Sequence, residues 1–197
     1  MPNPQEDPAA PPLTLGDLRF DALFNSFYHA MRQRRMERLE RWFAFAVVLC
    51  GSGAASALLS PELLGQRSDF AGGLLALAGA LFGAAQLAFG FSANARLHAL
   101  QRLKYAGILA RIEEAEAEPP QKELRKIAAD MTRQTGEEPP TDSPTSAMAR
   151  NAACTALGYP AGDRIHIPVW IRLFGWLLPL NDYAYGPVGA RKPSLEK

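Results

Sequence analysis

One uncharged segment, residues 70–95, constrains the fold of this chain more than any other feature. A helix of that length rises about 39 Å, which exceeds the roughly 30 Å hydrocarbon core of a bilayer. A second uncharged segment, residues 42–60, comes before it and is just long enough to cross. The sequence therefore predicts two membrane spans, which are joined by a short polar turn at residues 61–69.

The rest of the chain is also patterned for helices, with apolar residues at helical spacing on both sides of the predicted spans. We expect an all-α protein: a transmembrane helical hairpin with long cytosolic helix extensions and a short C-terminal helical segment. Residues 1–13 are predicted to be a disordered tail, and residues 14–118 to form the hairpin and its extensions. Thr14 and Asp17 are spaced to cap the start of the first helix, and the helix of the second span is predicted to continue as far as residue 118, where Pro119 and Pro120 end it. Residues 119–145 are predicted to form a short helix, folded back by its apolar face onto the preceding helix, and a linker. Residues 146–197 are predicted to form a helical, aromatic and in part interfacial segment.

Basic residues lie before the first predicted span and after the second, at the ends of the hairpin opposite its turn. Before the first span, the cluster consists of Arg32, Arg34, Arg35, Arg38 and Arg41. After the second span, Arg96, Arg102 and Lys104 repeat this bias. Because basic residues mark the cytoplasmic side of a membrane, we expect a multi-pass protein with both termini in the cytoplasm. The same arginines could contact anionic lipid headgroups.

Small residues recur at helical spacing along both predicted spans. In the second span they are Gly72, Ala76, Gly79, Gly83 and Gly90, and in the first they are Ala46, Cys50, Gly53 and Ala57. Such seams let helices approach closely in lipid, where packing rather than hydrophobic burial drives association. We expect one interface inside the hairpin and further contacts between copies, and hence a homo-oligomer in the bilayer.

Gln86 interrupts the seam as the one strongly polar side chain deep in the second span. An amide without a partner is costly in hydrocarbon. Two interpretations remain open: an interhelical hydrogen bond, or a pore-lining position in an assembled state.

Several classes of function find no support in the sequence. A net charge of +1 gives no basis for nucleic-acid binding. Two distant cysteines form neither a disulfide framework nor a metal motif, and His29, His98 and His166 are scattered. The glycines lie in apolar helix rather than in a phosphate-binding loop. We therefore predict no catalytic, cofactor-binding or metal-binding residues, and no enzyme.

The apolar segment at residues 168–178 is too short to span a bilayer. Its aromatic residues Trp170, Phe174 and Trp176 surround a single charge, Arg172. This composition favours a helix lying at the membrane surface, or one docked beneath the hairpin.

The order of these parts resembles the SLATT family of small two-span bacterial proteins. The resemblance covers about residues 21–118, from the aromatic and basic entry helix around Phe27, Tyr28 and Arg32 to the exit helix around Arg96 and Tyr105. It implies a protein of the bacterial inner (plasma) membrane that assembles and breaches this membrane as an effector of an antiviral or conflict system. A cytosolic sensor protein or a nucleotide signal is then the implied trigger. Residues 146–197 do not match the family pattern.

Two further hypotheses remain beside the pore-forming effector. The chain could be a non-conducting membrane anchor or accessory subunit that docks a cytosolic partner. It could also be a holin-like lysis protein.

Overall fold

The computed structural model describes residues 12–59, 68–115, 119–138 and 141–174. Of these residues, 86 % are helical and none lies in a β-strand, which confirms the all-α class. The predicted tail lies almost entirely outside the described residues. The same is true of most of the turn at residues 61–69, of part of the linker before residue 145, and of the chain after residue 174, including Trp176.

The first helix, α1, extends over Leu15–Leu59. At its start the backbone N–H of Asp17 donates to Thr14 Oγ1 at 3.1 Å, and the Thr14 hydroxyl bonds to Asp17 Oδ2 at 2.6 Å. This reciprocal cap, predicted from the Thr14 and Asp17 spacing, satisfies a backbone donor that the first turn leaves without a partner.

The remaining helices differ from the prediction chiefly at one glycine. They are α2 (Ser68–Phe89), α3 (Phe91–Glu114), α4 (Gln121–Gly136), α5 (Ser143–Ala156) and α6 (Val169–Phe174), with a 3₁₀ turn at Ala161–Asp163. We expected one helix from the second span through to residue 118. Instead Gly90 adopts a φ of 55° between α2 and α3, a conformation that glycine tolerates better than other residues.

The chain forms two compact units. The first, here called the terminal unit, consists of Met1–His29 and Gln101–Lys197. The second, here called the apolar unit, is Ala30–Leu100. Because α1 and α3 each contribute to both, the division between units falls inside helices.

The terminal unit has a conventional hydrophobic core among three helical segments. It is built from Leu18 and Ala22 of α1, Tyr105, Ile108 and Ile112 of α3, and Leu124, Ile127 and Met131 of α4. We predicted that the short helix after the proline pair folds back onto the helix before it, and this core confirms that packing. The apolar positions of α4 recur at helical spacing, so a single face of the helix is buried.

Ion pairs surround this core. Arg19 contacts Glu113 at 3.0 Å, and Arg111 contacts Asp130 at 2.8 Å. The Arg111 guanidinium holds the pKa of the Asp130 carboxyl below its usual range. Such exposed pairs add little stability individually, but they leave these cations with partners inside the chain.

A second, smaller cluster joins α5 to the segment that leads into α6. Ala147 packs with Ile167 and Ile171. Asn151 fixes the intervening loop by donating from Nδ2 to the carbonyl of Ile165 and accepting the Ile165 N–H at Oδ1, both at 2.7 Å. Residues 146–174 therefore belong to a folded part of the terminal unit.

Candidate membrane interface

The apolar unit exposes large hydrophobic side chains instead of burying them. On α2 these residues are Phe70, Leu74, Leu75, Leu77, Leu81, Phe82, Leu87 and Phe89. Leu87 is 85 % exposed. An apolar surface this extensive is unusual on a protein surrounded by water and marks contact with a membrane or another protein.

Among the described residues, one helical stretch is long and apolar enough to cross a membrane, Phe70–Glu114, which includes the Gly90 break. Only 11 % of its most apolar window is buried. The core helix of a soluble protein would be mostly buried by its neighbours, whereas this helix is not. The stretch thus indicates a membrane location.

The first predicted span, residues 42–60, is helical as far as Leu59. It too exposes large apolar groups on one side: Trp42, Phe45, Val48 and Leu49. Its last residue, Ser60, lies outside the described residues. That this segment crosses a membrane stays a prediction.

Inside the apolar unit, α1 and α2 pack against each other through some of the small residues singled out above. A Cβ placed on Gly79 would lie 3.2 Å from the Cys50 Cβ, and one on Gly53 would lie 3.0 Å from Leu75 Cδ1. The absence of a side chain at these glycines is what lets the two helices approach. Since successive contacts pair later residues of α1 with earlier residues of α2, the helices are antiparallel.

The small residues do not all lie on this contact. Gly72 and Gly79 of α2 and Ala57 of α1 are buried; Ala46, Cys50, Gly53, Gly83 and Gly90 are partly buried; Ala76 is exposed. Leu75 rather than Ala76 fills the position opposite Gly53. A role for these residues between copies of the chain stays a prediction.

Aromatic rings pack at the end of the unit near Gly90. The Phe43 ring contacts the Phe82 ring edge to face at 5.8 Å and the Phe91 ring at 5.0 Å. Phe91 in turn stacks with Phe89 at 5.6 Å. These contacts link α1 to both sides of the break and add attraction beyond the area they bury.

Gln86 is partly buried, and its side chain forms no hydrogen bond with any other described residue. Its backbone carbonyl accepts the N–H of Gly90 at 3.2 Å. Both interpretations of Gln86, an interhelical bond and a pore-lining position, therefore stay open.

The basic cluster divides into two groups by exposure. Arg34, Arg38 and Arg41 are exposed, whereas Arg32 and Arg35 are partly buried and interact with neighbouring groups. The exposed arginines recur at steps of four and three residues, so they lie on one side of α1.

Two aromatic residues singled out near the C-terminus lie in α6. Trp170 is 46 % exposed, and Phe174 is the last residue of this helix.

A buried polar cluster lies in the terminal unit, and no sequence pattern indicates it. The His29 ring is fully buried, stacks on the Tyr105 ring at 5.7 Å, and places Nε2 3.2 Å from Glu138 Oε1. The Tyr105 hydroxyl bonds to Thr135 Oγ1 at 3.0 Å. Beside them Gln134 donates to the side chain of Gln101.

This cluster is closed to solvent, and its chemistry fits a structural role. Burial, together with the Glu138 carboxylate, raises the pKa of the Tyr105 hydroxyl, so the phenol stays protonated and able to donate. Among the described residues, no group of three or more His, Cys, Asp or Glu side chains could hold a metal ion. The ring stacking and the two hydrogen bonds of this cluster link α1, α3 and α4.

The terminal unit also has an open groove of about 460 Å³ between α1 and the segment after α5. Phe20 lies in it, stacked on Tyr159 at 5.9 Å and covered by the Arg150 guanidinium at 5.7 Å. Burial and the neighbouring Asp17 raise the pKa of Asp21 at its edge.

No family model, characterised protein or solved structure matches the chain.

Proposed function

We propose that the chain is an integral membrane protein inserted through the apolar unit, and that copies associate in the bilayer and act as an effector that permeabilises it. The observation that carries the proposal is the exposed apolar surface of α2, where a helix long enough to cross a membrane is left uncovered by the rest of the chain. In water this surface would drive aggregation, whereas in lipid it is solvated.

A two-span hairpin is the topology we propose. The antiparallel contact of α1 and α2 supports it, because two adjacent spans must pass in opposite directions. The exposed arginines at the start of the apolar segment of α1 favour both ends of the hairpin on the cytoplasmic side. Under this proposal the membrane is the bacterial inner (plasma) membrane, as the resemblance to the SLATT family implies.

Membrane insertion has a direct test. The full chain is expressed in bacteria, and the membranes are washed with alkaline carbonate. The protein should stay in the pellet and move to the supernatant only with detergent. Recovery of a folded, detergent-free protein in the soluble fraction would overturn the proposal.

The effector function needs a separate measurement. Induced expression should collapse the membrane potential, recorded with a potential-sensitive dye, and purified protein should release a small dye from vesicles. The variant Gln86→Leu separates the two interpretations of Gln86. Its leakage should differ from that of wild type if Gln86 lines a pore, and should match wild type if Gln86 forms an interhelical bond. A potential that stays intact after induction, in cells where the protein is present in the membrane, would contradict the effector.

A membrane anchor for a cytosolic partner is the second candidate, and one observation favours it. Small residues of α1 and α2, including Gly79 and Cys50, contact each other within one chain, so fewer of them remain for another copy. The terminal unit moreover has a folded core of its own. Affinity capture after mild solubilisation distinguishes the two, since an anchor recovers one stoichiometric heteropartner and an effector recovers mainly itself.

A further inference from the structure

The arginines of the chain fall into two classes by whether a carboxylate neutralises them. In the terminal unit Arg19 and Arg111 each contact an acid within 3.0 Å. On α1 the exposed Arg34, Arg38 and Arg41 form no ion pair with any described residue. Two acids lie nearby in sequence: Glu37, which accepts a hydrogen bond from Gln33 at 2.8 Å, and Glu40, which directly precedes Arg41.

These three arginines also hold little of their hydrogen-bonding capacity inside the chain. Arg38 donates from Nε to the Arg34 carbonyl at 3.3 Å, which leaves its two terminal nitrogens available. A guanidinium is the side chain best suited to bind a phosphate through paired donors. The strip is therefore positive, exposed and able to bind an anion.

Two aromatic rings come next along the same side of α1. Trp42 and Phe45 are 68 % and 57 % exposed, and their rings meet edge to face at 6.2 Å. Together with Arg38 and Arg41 they line a surface depression of about 420 Å³. Aromatic rings of this kind are typical of the level at which lipid headgroups meet acyl chains.

The strip continues into exposed aliphatic groups, Val48 and Leu49. From Arg38 to Leu49 the helix rises about 16 Å, so cationic, aromatic and aliphatic groups follow one another over this distance. A phospholipid presents its phosphate, its glycerol region and its acyl chain in the same order. The match in both charge and polarity is what identifies the occupant.

We propose that this surface of α1 binds an anionic phospholipid, with the phosphate between Arg38 and Arg41 and an acyl chain along Phe45. Three cations that form no ion pair with a described residue favour a lipid of net negative charge over a zwitterionic one. The inference rests on the proposed membrane insertion, and it adds a defined lipid class and a defined site to it.

Native mass spectrometry of the full chain in detergent tests the site. The protein is titrated with phosphatidylglycerol and with phosphatidylcholine of identical acyl chains. Wild type should bind phosphatidylglycerol more tightly by about tenfold or more, since each basic residue near an anionic surface contributes roughly a fivefold gain. Inorganic phosphate, added as a competitor at millimolar concentration, should not displace the lipid, because it lacks the acyl chain.

The double variant Arg38→Gln with Arg41→Gln should lose most of this preference. The matched control is Arg19→Gln with Arg111→Gln, which removes two paired arginines of the terminal unit and should keep the preference. Far-UV circular dichroism checks that each variant is as helical as wild type. Phe45→Ala, which leaves all charges in place, should weaken both lipids about equally and gives a second measure of the site.

An unchanged ratio of the two lipid affinities in the arginine double variant would overturn the inference, and so would displacement of the lipid by inorganic phosphate. Either result would leave membrane insertion standing, because the carbonate wash measures it independently. A chain found soluble in that wash would remove both proposals together.

Discussion

The two units of this chain treat the same kinds of residue in opposite ways. In the terminal unit, large apolar side chains such as Ile112 and Ile127 are buried, and cations such as Arg111 have acidic partners. In the apolar unit, large apolar side chains such as Leu81 are exposed, and Arg38 has no ion pair with a described residue. The terminal unit thus buries a hydrophobic core and pairs some of its cations internally, whereas the apolar unit leaves apolar and cationic side chains exposed to its surroundings.

The largest expected effect is on the core of the terminal unit. Ile127→Ala should lower the free energy of unfolding by about 2–5 kcal/mol, because it removes a buried side chain and leaves a cavity. Leu81→Ala in α2 should change it by less than about 0.5 kcal/mol, because that side chain is exposed. Thermal unfolding of the full chain in detergent measures both. Equal losses would break the contrast between the units.

A charge on the exposed surface of α2 tests which solvent it faces. Leu81→Arg should disfavour membrane insertion by about 3 kcal/mol, the typical cost of arginine near the centre of a spanning helix. Leu103→Arg, at an exposed position of α3 in the terminal unit, should leave insertion unchanged. The fraction that resists a carbonate wash is the readout. Normal insertion of the Leu81 variant would indicate that water, not lipid, contacts this surface.

The contact between α1 and α2 can be broken at a single glycine. Gly79→Leu should destabilise the apolar unit by about 1–3 kcal/mol, since even a Cβ there would meet Cys50. Gly73→Leu on the same helix is the control, because a Cβ there meets nothing within 4 Å. The detergent concentration that unfolds each variant compares them. If the two variants behave alike, the close packing contributes nothing.

The smallest effects concern two carboxylates of the terminal unit with opposite pKa shifts. The pKa of Asp21 is raised in the folded protein, so ionised Asp21 weakens folding at neutral pH and Asp21→Asn should stabilise it. The pKa of Asp130 is lowered, so Asp130→Asn should destabilise it. Both effects should be a few °C or less in melting temperature, on the order expected for surface charges.

The pH dependence of these two effects tests the assigned pKa shifts. Below the pKa of a carboxyl in the unfolded chain, about 4, Asp21 is protonated whether the chain is folded or not, whereas Asp130 stays ionised in the folded chain until the pH falls through its lowered pKa. The gain from Asp21→Asn should therefore fade as the pH is lowered towards about 4, and the loss from Asp130→Asn should fade only at lower pH. Melting temperatures measured from pH 7 downwards that keep either difference constant would contradict the assigned shifts.

The sequence predicted well what local pattern determines. The uncharged run of the second span, the cap at Thr14 and the apolar face of α4 all depend on residues within a few positions of one another. The break at Gly90 was missed because one glycine in an apolar helix is as compatible with close packing as with an interruption. In the structure Gly90 has a φ of 55°, and the rings of Phe89 and Phe91 on its two sides stack on each other.

Contacts between distant segments account for the rest. His29 lies in α1, Tyr105 in α3 and Glu138 just after α4, and nothing around any one of them in the sequence indicates the other two. The choice of Leu75 over Ala76 opposite Gly53 likewise depends on the rotation of α2 against α1, which a repeat of small residues leaves open by one position. The sequence does not show that Arg38 is exposed and Arg111 is paired, because both are arginines in helices with acids nearby.

Cys50 lies close to Gly79 where α1 and α2 pack, so this cysteine can report chemically on the packing of the two helices. Cys50 is partly buried beside this contact, so we expect its thiol to react faster with a bulky alkylating reagent whenever the two helices separate. The labelling rate of Cys50, followed in intact membranes with Cys154→Ser as the background, would therefore report each opening of the pair in real time.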